Sequence, residues 1–298
     1  MKISSPDKLL FPSDGVTKLD VVRHYEAVGD KMMELAYGRP LTLQRFPRGI
    51  EAKGFMQKNT PGHYPDSIRR LVVPKRGGGE TVYPVVTDAD DIAYLANQNT
   101  ITFHMWTSSA DRPGQPDWMV IDLDPEDGDI DGVRAATLLI REVLGEFAVD
   151  SFPVATGSKG FHVWIPLAGG HDFGAVSETS RAIAGLAVLR APHGLTTEFL
   201  KRERKGRVFV DWLRNGPTAT VVVPFSLRPR ARASVAVPLT WDEVPHATPS
   251  GCTIGDLGSR LSLDLAVKPQ TLPTVDVVAA ARAAGVDLDT PHDRFGRR

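Results

Sequence analysis

Residues 118–125, W-M-V-I-D-L-D-P, carry the pattern on which the fold prediction rests. The apolar run that begins at Trp118 predicts a buried strand, with Asp122 and Asp124 at its carboxyl end. Because side chains alternate between the faces of a strand, these two aspartates point the same way, about 7 Å apart. Carboxylates at that spacing can bracket a divalent ion. Pro125 then ends the strand, since it has no N–H for a further ladder bond.

The same stretch has a plainer interpretation. The sequence D-L-D-P-E-D-G over residues 122–128 is also typical of a turn or a helix cap that follows a strand. Two anions at the end of an apolar strand repel each other, however, and a bound cation relieves that repulsion. Taken alone, the stretch leaves both interpretations open.

The composition is that of an ordinary globular protein. The 298 residues are 42% hydrophobic and 24% charged, enough for one large domain or two modest ones, and the net charge is -1. Any nucleic-acid surface must therefore be a local basic patch. The single cysteine, Cys252, excludes an intrachain disulfide and a cysteine-based zinc site. Because no signal-peptide core or membrane-spanning run is present, we expect a soluble cytoplasmic protein with no membrane partner.

Hydrophobic periodicity predicts a mixture of helices and strands. The expected helices cover 18–35, 88–97, 133–147, 177–189 and 277–284, the first two capped by Thr17 and Thr87. The expected strands, besides 118–121, are 41–46, 72–74, 81–86, 101–106, 152–155, 161–165, 208–212, 218–223 and 235–238. Residues 49–65 are expected to be rich in loop, and 294–298 to form a mobile tail.

A second marked stretch, T-G-S-K-G-F-H-V-W-I-P, covers residues 156–166. Its glycines flank Ser158 and Lys159, and backbone amides of such a turn could cradle phosphates together with the lysine. The spacing is not that of a Walker A loop, and an ordinary hairpin turn is the more common meaning of this pattern. His162, taken alone, is more often a buried structural histidine than a ligand-contacting residue.

A third aspartate also follows an apolar strand. Residues 208–210 lead into Asp211, and basic segments lie nearby in the sequence at 201–207 and 228–232. Nucleotidyl transfer uses two metal ions about 3.5–4 Å apart, and three acids are a natural minimum for holding them. Cationic side chains then stabilise the charge on a triphosphate. The residues themselves therefore support metal-assisted phosphoryl chemistry.

Several long motifs occur in a fixed order along the chain. They are S-P-D-K-L-L-F-P with a later T-K, R-P-L-T, F-M-Q-K-N-T-P, F-H-M-W, D-R-P-x-x-P-D-W-M-V-I-D-L-D-P, T-G-S-K-G-F-H-V-W, R-V-F-V-D-W-L-R-N and P-F-S-L-R. Through them the sequence, from about residue 5 to 243, resembles the polymerase domain of bacterial DNA ligase D, in the archaeo-eukaryotic primase superfamily. A series of motifs in order is far more specific than any one of them.

The resemblance implies an α/β (α+β) fold, with a primase-like catalytic core of mixed and antiparallel sheets flanked by helices. We expect one primase-polymerase domain over 1–298. Within it, about 1–115 is expected to be an N-terminal α/β lobe that contacts DNA ends. About 116–245 is expected to be the catalytic core, and about 246–298 a C-terminal extension.

The resemblance also implies residue roles by position. The positions that match the catalytic, metal-binding acids are Asp122, Asp124 and Asp211. The positions that match nucleotide contacts are Thr156, Lys159, His162, His104 and Arg228. The positions that match DNA contacts are Lys8 and Lys18, for a 5′-phosphate, and Phe55, for stacking on the template.

Three positions depart from the family pattern. Thr156 stands where serine is common, which keeps the hydroxyl, and Gln44 stands where a lysine near the nucleotide sugar is usual. Met56 replaces the second of two adjacent aromatic residues, so template stacking is expected to be weaker. The sequence shows no ligase or phosphoesterase portion, and Met1 favours a stand-alone paralogue over an excised domain.

The expected function is templated addition of nucleoside triphosphates, with ribonucleotides preferred, to primer 3′-ends at gaps or 5′-phosphorylated DNA ends. The resemblance implies two Mn²⁺ or Mg²⁺ ions, a role in end-joining repair at the nucleoid, and a Ku-type end-binder and a separate DNA ligase as partners. Two rivals belong to other classes. One is a catalytically silent DNA-end-binding module, and the other is a metal-dependent nuclease or phosphohydrolase that uses the same acids.

Overall fold

The computed structural model describes residues 1–75, 77–126, 128–264 and 267–290, so the tail expected at 294–298 lies outside the described residues. The chain divides into two compact units. The first contains Met1–Pro113, Thr220–Val237 and Ser250–Leu263, and the second contains Gly114–Ala219, Pro238–Pro249 and the chain from Asp264 onward. The expected single domain with boundaries near residues 115 and 245 stays a prediction.

The described residues form short strands and six helices. The strands are β1 (Leu9–Phe11), β2 (Val16–Thr17), β3 (Leu41–Arg45), β4 (Phe55–Gln57), β5 (Arg69–Pro74), β6 (Glu80–Val85), β7 (Thr100–Trp106), β8 (Trp118–Asp124), β9 (Phe152–Ala155), β10 (Phe161–Pro166), β11 (Leu195–Thr196), β12 (Val208–Asp211), β13 (Thr220–Val222) and β14 (Val237–Pro238). The helices are α1 (Lys18–Ala36), α2 (Ala89–Asn97), α3 (Ile130–Gly145), α4 (Phe173–Arg190), α5 (Lys201–Arg204) and α6 (Thr274–Ala283). This mixture of helices with mainly antiparallel sheets confirms the expected α/β (α+β) class.

The first unit is built on a four-stranded sheet in the order β13-β7-β3-β4, in which all neighbours are antiparallel. Helix α1 begins at the predicted cap, Thr17. Thr17 and Asp20 form a capping box that satisfies two backbone N–H groups at the start of the helix. Buried Tyr25 of this helix donates its hydroxyl to the carbonyl of Ile101 at 2.5 Å and accepts the N–H of Leu227 at 2.9 Å. These two bonds join three distant segments of the unit.

The second unit is built on a six-stranded sheet in the order β11-β12-β8-β10-β9-β14. β8 lies in the middle of it, with β10 antiparallel on one side and β12 antiparallel on the other. Helices α3 and α4 contact β8, and Ile121 and Leu123 of that strand are fully buried. The apolar run therefore forms the core strand that its sequence predicted.

Several boundaries differ from the sequence expectation. β8 extends to Asp124, so both aspartates lie within the strand and Pro125 follows it, as the sequence predicted. The N-cap of α2 is Asp88, not Thr87, because its carboxylate accepts the N–H of Asp90. The segment expected as loop contains the edge strand β4, which gains its ladder bonds from β3. No helix in the described part of the chain is long and apolar enough to cross a membrane.

Candidate active site

Two neighbouring strands bring the three aspartates together. Asp211, the last residue of β12, lies directly opposite Asp122 of β8, and Asp124 follows two residues along the same strand. Residues opposite each other, or two apart on one strand, share a face of a sheet. Asp122 and Asp211 are buried, and Asp124 is partly exposed. The three carboxylates therefore form one cluster on one face of the sheet.

Two nitrogen-bearing side chains balance the charge of this cluster. The Nε atom of Arg214 lies 3.1 Å from Asp122 Oδ2 and 3.1 Å from Asp211 Oδ2. His162, opposite Asp122 on β10, places Nε2 at 3.3 Å from Asp122 Oδ1. The sequence predicted uncompensated anions at this point, whereas in the structure the two buried acids contact a bridging guanidinium and an imidazole.

Arg214 is the site residue that sequence reasoning missed. It lies in a 3₁₀ turn (Leu213–Asn215) directly after β12, and this turn is anchored by the buried amide of Asn215. That amide donates to the carbonyl of Val120 at 2.8 Å and accepts the Val120 N–H at 2.8 Å. The motif R-V-F-V-D-W-L-R-N could have indicated this contact, because it places Arg214 three residues after Asp211 and residues three apart in a turn can face each other.

The cluster perturbs the pKa values of its members in opposite directions. Burial opposes ionisation of Asp122, but the nearby His162 and Arg214 outweigh it and hold the pKa of that carboxyl well below its usual range. The charge of Asp122, together with burial, raises the pKa of Asp124 to about 6. Burial also raises the pKa of Asp211. Asp122 is therefore firmly ionised, and its negative charge opposes ionisation of Asp124.

The donor set fits hard divalent cations such as Mg²⁺ or Mn²⁺, which prefer carboxylate oxygens. The crowding of negative charge that raises the pKa of Asp124 is also the situation that a bound cation relieves. As arranged, however, no three His, Cys, Asp or Glu side chains in the described part of the chain converge as a ready metal site. The chemistry of the acids fits the metal, while Arg214 occupies two of their oxygens.

The turn between β9 and β10 lies in the same unit. Thr156 donates its hydroxyl to the carbonyl of Gly160 at 2.7 Å, which closes the turn, and Lys159 projects from it into solvent. A Cβ at Gly160 would lie 1.8 Å from the carbonyl oxygen of Leu123, so only glycine permits this close approach to β8. The hairpin expected from the sequence is confirmed.

The remaining predicted residues belong to the first unit. His104 lies on β7 between Thr42 of β3 and Val222 of β13, and the backbone N–H of Arg228 donates to the carbonyl of Ser234 at 2.7 Å. The roles assigned to these residues by resemblance stay predictions.

Lys8 and Lys18 are neighbours in the first unit. The Lys8 ammonium donates to the carbonyl of Pro47, and the Lys18 ammonium donates to Ser4 Oγ at 2.7 Å. Burial, followed by the charge of Lys8, lowers the pKa of Lys18. Over the part of the chain that the structure describes, no carboxylate forms an ion pair with either lysine. Lys8 is half-buried and Lys18 is only 2% exposed, so Lys8 is the more accessible of the two charges.

Phe55 and Met56 lie on the edge strand β4, and about half of each is exposed. The guanidinium of Arg45 lies over the ring of Phe55, 5.6 Å from its centroid. Gln44 faces Met56 across the β3–β4 pair. An exposed aromatic ring beside a cation is a common platform for a nucleobase.

The family described as LigD, primase-polymerase domain, matches residues 17–265. The chain belongs to this family. Among the relatives of LigD type, the multifunctional non-homologous end joining protein LigD of Mycolicibacterium smegmatis is 30% identical over 248 residues, or 82% of this chain. The bifunctional non-homologous end joining protein LigD of Bacillus subtilis is 30% identical over 267 residues, or 88% of this chain.

The LigD fold is confirmed by a solved structure, the polymerase domain of Mycobacterium tuberculosis ligase D in complex with DNA. It matches with a TM-score of 0.77 and 27% identity, over 98% of this chain and 99% of that one. The chain spans 32% of the length of the M. smegmatis relative and 42% of the length of the B. subtilis relative. The similarity therefore concerns the primase-polymerase part of those proteins.

Proposed function

We propose that this LigD-type domain is a template-directed nucleotidyltransferase, which adds nucleoside triphosphates to the 3′-end of a primer. The observation that carries the proposal is the cluster of Asp122, Asp124 and Asp211 on one sheet face, within a member of a primase-polymerase family. Acids that are buried and mutually repelling cost stability, and clusters of this kind are typical of functional sites.

The three aspartates would hold two Mn²⁺ or Mg²⁺ ions, which when bound activate a hydroxyl nucleophile and neutralise charge on the phosphates. The protein's own groups supply positioning. His162 fixes the orientation of the Asp122 carboxylate, and the closed turn at Thr156 and Gly160 presents Lys159 to solvent for a phosphate. His104 and Arg228 are proposed as further contacts for the triphosphate.

The DNA side of the reaction is assigned to the first unit. Lys8 and Lys18, which carry two positive charges without a carboxylate partner among the described residues, suit a doubly charged 5′-phosphate. Phe55 suits stacking on a template base. We propose gaps and 5′-phosphorylated ends as substrates and ribonucleotides as preferred monomers. The setting would be end-joining repair at the nucleoid, together with a Ku-type end-binder and a separate ligase.

Primer extension tests the proposal directly. A labelled primer facing a short, 5′-phosphorylated gap is incubated with Mn²⁺ and either rNTPs or dNTPs. We expect templated extension, faster with rNTPs, and a loss of about 10³-fold in Asp124→Asn or Asp211→Asn, as for removal of a main electrostatic contact in an active site. Asp242→Asn, which changes an exposed acid of the same unit, should extend normally.

The outcomes also separate the two rivals. DNA binding without extension by the unaltered protein would favour the silent end-binding module. Release of mononucleotides from the primer, without extension in the presence of NTPs, would favour a nuclease. Equal extension by the unaltered protein and by the Asp124→Asn variant would remove the aspartate cluster from the mechanism.

A further inference from the structure

The oxygens of the two buried aspartates are all engaged in the structure. Asp122 Oδ1 faces His162 Nε2 at 3.3 Å, and Asp122 Oδ2 faces Arg214 Nε at 3.1 Å. Asp211 Oδ1 accepts the N–H of Leu213 at 2.9 Å, and Asp211 Oδ2 faces the same Arg214 nitrogen at 3.1 Å. A metal ion that bridges Asp122 Oδ2 and Asp211 Oδ2 must therefore take the position of the Arg214 nitrogen.

Arg214 is the partner that can leave. The Leu213 N–H is fixed by the backbone, and His162 is buried on the central sheet. The Arg214 side chain is 40% exposed, and the turn that carries it is anchored separately to Val120 by the Asn215 amide. Its guanidinium can thus move away while the turn that carries it stays in place.

The Arg214 guanidinium and a divalent cation compete for the same two carboxylates. Asp122 and Asp211 face each other across neighbouring strands, and a single guanidinium nitrogen touches both. A divalent cation placed between the same two oxygens meets the same attraction, and two cations cannot share that position. The third acid, Asp124, has no ion pair within the described ranges and offers a first contact to an arriving metal.

We propose that Arg214 takes the place of a divalent cation in the metal-free protein, so that metal binds Asp122 and Asp211 only when its guanidinium leaves. The inference rests on the proposed function insofar as that function requires the aspartates to hold metal. Arg214 is then a positioning residue that weakens binding of metal in the absence of substrate. It also keeps the acid cluster balanced until metal arrives.

Titration with Mn²⁺ tests the inference without any measurement of activity. The chelator-treated protein is titrated with Mn²⁺ alone, and electron paramagnetic resonance measures the free ion. We expect Arg214→Gln to bind Mn²⁺ about tenfold more tightly than the unaltered protein, a difference of about 1.4 kcal/mol. Arg214→Lys keeps a charge but lacks the bridging nitrogen, so its affinity for Mn²⁺ should lie between those of Arg214→Gln and the unaltered protein. Arg190→Gln, which removes a charge from the exposed pair with Glu146, should bind as the unaltered protein does.

Thermal unfolding provides a second readout. Without metal, Arg214→Gln should unfold at a lower temperature than the unaltered protein, because Asp122 and Asp211 lose their shared counter-charge. Saturating Mn²⁺ should raise its unfolding temperature by more than it raises that of the unaltered protein. If Arg214→Gln does not fold, the higher affinity expected of Arg214→Lys still tests the proposal.

Two results would overturn the inference. Equal or weaker Mn²⁺ binding by both Arg214 variants, with binding still lost in Asp122→Asn, would show that Arg214 does not compete with metal and would leave the proposed function intact. An absence of Asp122-dependent Mn²⁺ binding in every protein would overturn the inference and the metal-dependent function together.

Discussion

The aspartate cluster of the second unit and the lysine pair of the first unit both bring like charges together. They differ in whether the protein supplies an opposite charge beside them. Asp122 and Asp211 share the counter-cation Arg214, which comes from the turn that follows one of their own strands. Lys8 and Lys18 are held only by a carbonyl and a hydroxyl group, and no described carboxylate pairs with them. Asp122 and Asp211 thus share a counter-charge within the protein, whereas the two lysine charges have no carboxylate partner among the described residues.

The difference has a physical consequence for binding. A ligand of the aspartates must displace an existing ion pair, so binding has to exceed the energy of that pair. A phosphate that binds the lysines replaces weaker, neutral hydrogen-bond acceptors and gains two charge-assisted bonds. We therefore expect the lysine pair to bind phosphate with a strong dependence on salt. We expect the aspartate cluster to bind only those cations whose binding energy exceeds that of the ion pair.

Among the effects on DNA binding, the largest is expected from removal of the lysine charges. Lys8→Met with Lys18→Met keeps the apolar stems but removes both ammonium groups, so affinity for a 5′-phosphorylated end should fall about 10- to 100-fold at low salt. The slope of log affinity against log salt should fall by about 2, one for each lost contact. Fluorescence anisotropy with phosphorylated and unphosphorylated hairpin DNA measures both quantities.

Lys31→Met is the matched control for the lysine pair, because Lys31 lies on the same helix as Lys18 but pairs with Glu34 at 2.9 Å. It should leave affinity and salt slope unchanged. Equal affinity of the unaltered protein for phosphorylated and unphosphorylated ends would contradict the proposal that the lysine pair binds the 5′-phosphate.

The next effect concerns the pH dependence of stability in the metal-free protein. The pKa of Asp124 is about 6 in the fold, mainly because of the charge of Asp122, against about 4 in an unfolded chain. The native state therefore binds the proton more tightly, and stability is lost as the pH rises from about 4 to 6. The loss is about 2–3 kcal/mol, at about 1.4 kcal/mol per pKa unit.

Urea unfolding between pH 4 and 7, in the presence of a chelator, measures this loss. Asp124→Asn removes the titrating group, so the free energy of unfolding should change less with pH in the variant than in the unaltered protein. The lowered pKa of Asp122 acts below this window and with the opposite sign, so it does not obscure the difference. The same pH slope in both proteins would mean that Arg214 balances Asp124 as well.

The smallest effect is expected from the exposed aromatic ring of β4. Phe55→Ala should weaken binding to a template overhang about tenfold, within the range of about 1–3 kcal/mol for one stacked base. Its salt slope should stay unchanged, in contrast to the lysine variants, because stacking releases no counterions. Tyr37→Ala, which removes another exposed aromatic residue of the first unit, serves as the control. A reduced salt slope in Phe55→Ala would assign its effect to the neighbouring Arg45 instead.

Much of the site follows from local sequence. The alternation of W-M-V-I-D-L-D placed Asp122 and Asp124 on one face of a strand, and the apolar run before Asp211 placed that acid at the end of another. Thr17 was predicted as the cap of α1 because capping depends on residues only three apart. Gly157 and Gly160 marked the turn between β9 and β10, since turn conformations are set by the residues within them.

Only the tertiary structure decided which strands became neighbours. The pairing of β8 with β12 joins residues about 90 positions apart and sets Asp211 opposite Asp122, and no local pattern contains that register. The same pairing brings Arg214 between the two acids, although the sequence offered it only as one arginine among many. The sequence thus determined which residues carry charge at strand ends. The long-range pairing of strands decided which charges meet, because electrostatic energy depends on distances in space and not along the chain.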